Sequence, residues 1–169
     1  WIKSGGTLVA TRRAADWATR RGLHQAEAPP KPEAEPEKEK EEESSEALPP
    51  DRGQSAYGDH QKEFSLQIIG GAILQGELDI THPVGFGYEK PELALFRQGR
   101  TRLEVSDNPY RTPLRYAASP RISGFIASER LDVLCGSAAV VAEKVGRGSV
   151  VRFADNPNFR GFWYGTNRL

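Results

Sequence analysis

The stretch GRGSVVRFADNPNFRGFWYGTNRL, residues 146–169, decides how the fold is read. A Gly146-Arg147-Gly148 turn feeds a short apolar run over residues 150–153, which ends in the polar loop Asp155-Asn156-Pro157-Asn158. The aromatics Phe159, Phe162, Trp163 and Tyr164 follow, with no cap or amphipathic continuation before Leu169. At the other end, Trp1-Ile2-Lys3-Ser4-Gly5-Gly6 has the form of a last helical turn closed by glycine, and Met is absent throughout. Both ends read as interruptions of a layered sheet, so the expectation is a fragment of a longer protein.

Working outward, residues 138–144 alternate with a strand's period and join residues 150–153 through the glycine turn as a hairpin or a tight bend. Ser128 is placed to cap a short helix running through Leu134. Residues 116–120 read as extended, and residues 93–96 and 102–105 as two short strands, antiparallel around Gln98-Gly99. Upstream, Ile68 and Ile69 lead through Gly70-Gly71 into Ala72-Ile73-Leu74, another strand. Residues 7–10 read as a short buried strand, and Ala14, Ala15, Trp17 and Ala18 share one side of a helix over residues 12–21. A glycine pair, a strand and a helix in that order are the grammar of a parallel α/β layer.

Residues 25–53 break this pattern, with nine Glu, three Lys, six Pro and almost no large apolar side chain. Such a run buries too little surface to offset the entropy of ordering. The expected organisation is therefore residues 1–23 as the start of the α/β domain, residues 24–63 as a disordered acidic insert, and residues 64–169 as the remainder. The insert also hides a charge asymmetry. Over the whole chain 23 basic residues balance 23 acidic ones, but outside the insert arginines dominate, with Arg97, Arg100, Arg102, Arg111, Arg115 and Arg121 close together. That spacing suits phosphate contacts, but aromatics are not interleaved as stacking platforms, so solvated or carboxylate-paired arginines are the expectation and nucleic acid is not the expected partner. No segment approaches the roughly 20 apolar residues of a membrane span.

Four constellations are candidates for chemistry. His24-Gln25-Ala26-Glu27 spells HxxE, the local half of a carboxypeptidase zinc site, but it sits where a helix frays into the insert and reads as a chance spelling. Cys135, within Val133-Leu134-Cys135-Gly136-Ser137, has the look of a small buried residue rather than a nucleophile on an elbow, and one cysteine excludes an internal disulfide. His82-Pro83 follows a buried strand and precedes Gly85 and Gly87, where carboxyl-end loops of doubly wound sheets make crevices. The competing reading is that His82 bonds backbone and orders that turn. The loop after the last strand offers Asp155, Asn156 and Arg160 as binding residues, with Phe159, Phe162 and Trp163 read as core anchors.

The segments WIKSGGTLVA, GAILQGELDITHPVGFGY and SPRISGFIASERLDVLCGSAAVVAEKVGRGSVVRFADNPNFRGFWYGTNRL together resemble the C-terminal portion of bacterial zinc carboxypeptidase-like proteins of the carboxypeptidase A family. In that family a peptidase domain precedes a class I glutamine amidotransferase-like α/β domain. The resemblance implies an incomplete flavodoxin-like or amidotransferase-like fold, and a parent acting in zinc-dependent removal of C-terminal residues in a secreted or periplasmic setting. It implies that the zinc belongs to the upstream peptidase domain and that no cofactor binds here. It also implies that the peptidase domain is the partner, with a peptide or glycan as further ligand. A working amidotransferase would carry an elbow Cys and a His-x-Glu partner, which Cys135 and His82-Pro83 do not reproduce. The expectation is thus an accessory, non-catalytic domain. The alternative is a hydrolase using His82 with Asp79 or Asp155 as orienting acid.

Overall fold

The computed structural model describes residues 1–23, 57–59, 63, 66, 68–161 and 163–169. His24, Glu27 and the HxxE spelling, His60 and nearly all of the acidic insert lie outside the described residues, as does Phe162. In chain order the elements are β1 (Thr7–Thr11), α1 (Arg13–Arg20), β2 (Ile69–Leu78), β3 (Glu92–Gly99), β4 (Leu114–Gly124), α2 (Ser128–Leu134), β5 (Ala138–Val145) and β6 (Gly148–Phe153). The six strands form one sheet in the order β1-β6-β5-β4-β2-β3, so residues 1–23 and the later segments share one mixed α/β layer.

Among the described residues the parallel grammar holds for one pair only, β1 with β6, in the register Leu8 to Val150 and Ala10 to Arg152. Every other pair is antiparallel. The reason lies in the connections. Parallel neighbours need a crossover of a dozen or more residues, whereas β5 and β6 are joined by two, Gly146 and Arg147. Gly146 takes φ 64, the positive value that a two-residue hairpin turn demands.

The N-terminal residues lock onto this hairpin. Arg147 N–H donates to the Lys3 carbonyl at 3.1 Å, and Ser149 N–H to the Gly6 carbonyl at 3.1 Å. Gly148 permits the approach, because a Cβ there would overlap the carbonyl oxygens of Ile2 and Gly6.

The two sheet edges differ. At β3 the segment after β6 closes over the edge: the Trp163 Nε1–H donates to the Ala94 carbonyl at 2.8 Å, and Phe159 stacks on Phe96 with ring centroids 4.0 Å apart. Phe159 and Trp163 are therefore anchors on β3, as expected of core aromatics. At β1 no strand lies outside among the described residues. Gly6 accepts from β6 and Arg12 N–H donates to the Phe153 carbonyl, so the alternation of a parallel ladder turns Thr7, Val9 and Thr11 away from β6. Val9 is 60% exposed, which corrects the expectation of a buried strand at residues 7–10. Ala15 and Ala18 of α1 are buried as expected, while Ala14 and Trp17 on the same predicted side are exposed.

Residues 102–105 do not form a hairpin with β3. After Gly99, at φ 97, the chain turns away, and Leu103 makes an isolated bridge to Ala138 and buries against the alanines of β1 and α1. The pairing surface of β3 goes to β2, with Leu74 opposite Leu95. At α2, Ala127 rather than Ser128 occupies the cap position, and Ser128 Oγ points to Glu129 instead.

Candidate functional site

The inward face of β3 reads Leu93, Leu95, Arg97, and the third position places a guanidinium where an apolar side chain is expected. Arg97 is 1% exposed. A buried charge is tolerated only when paired and hydrogen-bonded, and Asp155, two residues past the end of β6, supplies the pair. Arg97 Nη1 donates to Asp155 Oδ1 at 3.0 Å and to the Ala154 carbonyl at 3.3 Å, and Nη2 donates to the Thr101 carbonyl. The Tyr116 hydroxyl of β4 donates to the other Asp155 oxygen, and the Arg97 guanidinium stands 5.9 Å from the Tyr116 ring centre. Thr101 extends the network to α1 through its hydroxyl bond to Asp16 at 2.8 Å.

Burial pushes the Asp155 carboxyl above its ordinary range, and the Arg97 charge with the Tyr116 hydroxyl bond offsets only part of that. Burial also drives the Tyr116 phenol well up, with the Asp155 charge adding to it, so Tyr116 keeps its proton and acts as a donor. For Arg97 burial works against the cation, but the Tyr116 oxygen and the Asp155 carboxylate beside it outweigh that and hold the guanidinium protonated. Chemically this is a buried, hydrogen-bonded cluster that fixes β3, β4 and the end of β6 relative to one another, with the Arg97 Nε left without a partner among the described residues.

Asn156 and Asp155 line a shallow, solvent-open cleft between the apolar residues Leu95, Phe96 and Phe153 and the C-terminal Thr166 and Leu169. The Asn156 side chain accepts from Asn158 N–H at 3.1 Å, which shapes the loop. Arg160 is exposed, takes φ 53, and lies 5.1 Å from the Phe159 ring centre rather than in the cleft wall. His82 does not line this cleft either. Its Nδ1 accepts from Val84 N–H at 3.1 Å and starts the short 3-10 turn Pro83–Gly85, the backbone-ordering role. The structure thus brings Asp155 and Asn156 together, and places His82 and Arg160 in separate settings.

Asp79, next to the His82 turn, accepts from the Thr81 hydroxyl at 2.6 Å and the Thr81 N–H at 2.9 Å. These bonds, the hydroxyl first, with a smaller pull from His82, hold its carboxyl below 3.8. A depressed carboxyl favours the fold above the unfolded value and loses that contribution as pH falls through the lower folded value. An NMR titration of the Asp79 carboxyl carbon is expected to give a midpoint below 3.8, moving upward in Thr81→Val; an unchanged midpoint in that variant would refute the Thr81 assignment.

Cys135 sits at the C-terminal end of α2, and its thiol lies 3.2 Å from the Leu131 carbonyl as a helix-end donor. An elbow nucleophile instead stands where a strand turns into the start of a helix. Sequence reasoning named Asp155 but missed its partners Arg97, Tyr116 and Thr101. The signal was present in β3, where a charge at an inward position of an alternating strand calls for a buried acid. A second such pair joins Glu143 of β5 and Arg152 of β6, with Arg152 Nη2 at 2.5 Å from Glu143 Oε2 and Nη1 donating to the Thr19 hydroxyl of α1 at 2.7 Å.

No family model matches this chain, and neither a curated protein nor a solved structure matches it. Among the described residues no helix is long and apolar enough to cross a membrane.

Proposed function

We propose that this chain is an accessory, non-catalytic domain of a zinc metallocarboxypeptidase-like protein, an amidotransferase-like α/β layer that joins the peptidase domain through the edge of β1. The observation that carries this reading is the asymmetry of the sheet. The β3 edge is covered by Trp163 and its neighbours, while β1 presents Thr7, Val9 and Thr11 outward with nothing paired to them among the described residues. Sheets protect or use such edges. Because β1, α1 and β6 form the one parallel unit, the layer extends from β1 by further parallel strands in the flavodoxin-like manner, and the upstream polypeptide of the resemblance is the occupant. The position of Cys135 at a helix end and the occupation of Asp155 by Arg97 and Tyr116 favour structure over catalysis. Peptide or glycan recognition falls to the Asp155 and Asn156 cleft in this reading.

The test is calorimetric titration of the 169-residue chain with the separately produced peptidase polypeptide and its following strands. A saturable one-to-one complex, abolished by Val9→Pro at the outward edge position, is the expected result. Absence of a complex, together with full peptidase activity and stability in a polypeptide lacking this region, would defeat the proposal.

A further inference from the structure

A second cleft, of about 250 Å³ including its open mouth, lies between the end of β3 and α2. Arg97, Gly99, Arg100 and Arg102 form one part of its wall, and Arg130 and Val133 of α2 another. Among the described residues no carboxylate lines it. Asp155 neutralises Arg97 from the buried side, so the positive potential of the cleft comes from Arg100, Arg102 and Arg130. Arg130 is held in place by its Nε–H bond to the Leu66 carbonyl at 2.9 Å, so that its guanidinium is fixed at the cleft wall.

Two independent features mark the cleft as more than a solvated basic face. Arg97, almost wholly buried and part of the wall, has an Nε with no hydrogen-bond partner among the described residues. Buried polar atoms are rarely left unsatisfied, and an orphaned guanidinium donor beside a cleft calls for an acceptor. A fifth arginine also approaches. Arg12 holds φ 54 and ψ −124, a conformation that side chains rarely adopt, and its Nη2 stands 3.4 Å from the point where a Cβ on Gly99 would lie.

We infer that this cleft binds a small phosphate-type oxyanion through the guanidinium groups of Arg100, Arg102 and Arg130, with Arg97 and Arg12 beside them. Guanidinium forks match the paired oxygens of phosphate, and several converging on one cleft select a multiply charged anion over chloride. Ile69 and Val133 offer an apolar wall to the organic body of a phosphorylated small molecule. The same chemistry is supplied by free phosphate.

The experiment titrates the full 169-residue chain with inorganic pyrophosphate at low ionic strength by calorimetry, with a nucleoside diphosphate in a parallel arm. One-to-one saturable binding is expected, weakened about tenfold by Arg102→Ala and again by Arg130→Ala, as befits charge-assisted bonds. Arg147→Ala, at the exposed β5–β6 turn, is expected to leave binding unchanged. Tighter binding of the nucleotide than of pyrophosphate identifies an organic phosphate as ligand, and equal binding a free anion. Arg102 is exposed, so Arg102→Glu keeps the test valid if Arg130→Ala fails to fold. Absence of saturable binding, or an equal loss in Arg147→Ala and Arg102→Ala, overturns the site.

Discussion

Asp155→Ala is expected to be among the most destabilising single substitutions in this chain, costing about 3–5 kcal/mol, because it strands the Arg97 guanidinium in a site with 1% exposure. The loss is not the net worth of the ion pair. Burial raises the Asp155 carboxyl despite Arg97, so the ionised pair repays its own dehydration only in part. Replacing both members with apolar residues, as in Arg97→Met with Asp155→Leu, is therefore expected to recover most of the loss. Tyr116→Phe removes one donor and leaves Arg97 paired, so its cost is expected near 1 kcal/mol. Chemical denaturation of the single and double variants measures all three. A single-variant cost below about 1 kcal/mol would mean that water reaches Arg97 and that the cluster does not organise the sheet.

The sign of the pH dependence follows from the same shift. A carboxyl whose folded value is raised favours the folded state in acid, and this contribution falls away as pH rises from 3.8 through the folded value. Asp155 thus does not drive acid unfolding, in contrast with Asp79, whose depressed value loses its contribution in acid.

Glu143→Ala is the second large effect expected, about 3 kcal/mol, for the same physical reason on β5 and β6. Arg152 is buried, its Nε has no partner among the described residues, and of the partners there removal of Glu143 leaves its charge with the Thr19 hydroxyl. Glu143 faces Val150 and Arg152 faces Val141, so the pair is a diagonal one across β5 and β6. Because Thr19 ties Arg152 to α1, the variant is also expected to loosen α1, read as faster amide exchange at Ala15 and Ala18 than at Leu74 and Val140. Uniform exchange across these positions would show that the pair stabilises the molecule only globally.

Local chemistry was legible in the sequence and long-range pairing was not. The β5–β6 hairpin, β2 and α2 follow from alternation, glycine turns and helical spacing, and His82 plays the turn-ordering part that its position before Pro83 suggested. The order of strands did not follow. Residues 102–105 resembled a partner for β3, but Gly99 redirects the chain and Leu103 is drawn to the alanines near α1, choices fixed by contacts distant in sequence. The parallel grammar at residues 5–21 located β1 and α1 but misjudged the burial of Val9 and Trp17, and the four pairings beyond them are antiparallel. For the candidate site, Asp155 and Asn156 were visible as polar residues after a strand. Their partners were hidden because Arg97 is 58 positions from Asp155, and only the sheet brings the two together.

Amide hydrogen exchange at β1, measured with and without the peptidase polypeptide, tests the central claim most directly. In the 169-residue chain alone, Thr7, Val9 and Thr11 are expected to exchange far faster than Leu8 and Ala10, which face β6. Adding the peptidase polypeptide is expected to slow those three amides selectively as the edge gains a strand. Protection confined to β3 or the 155–160 loop, or none at all, would contradict the account.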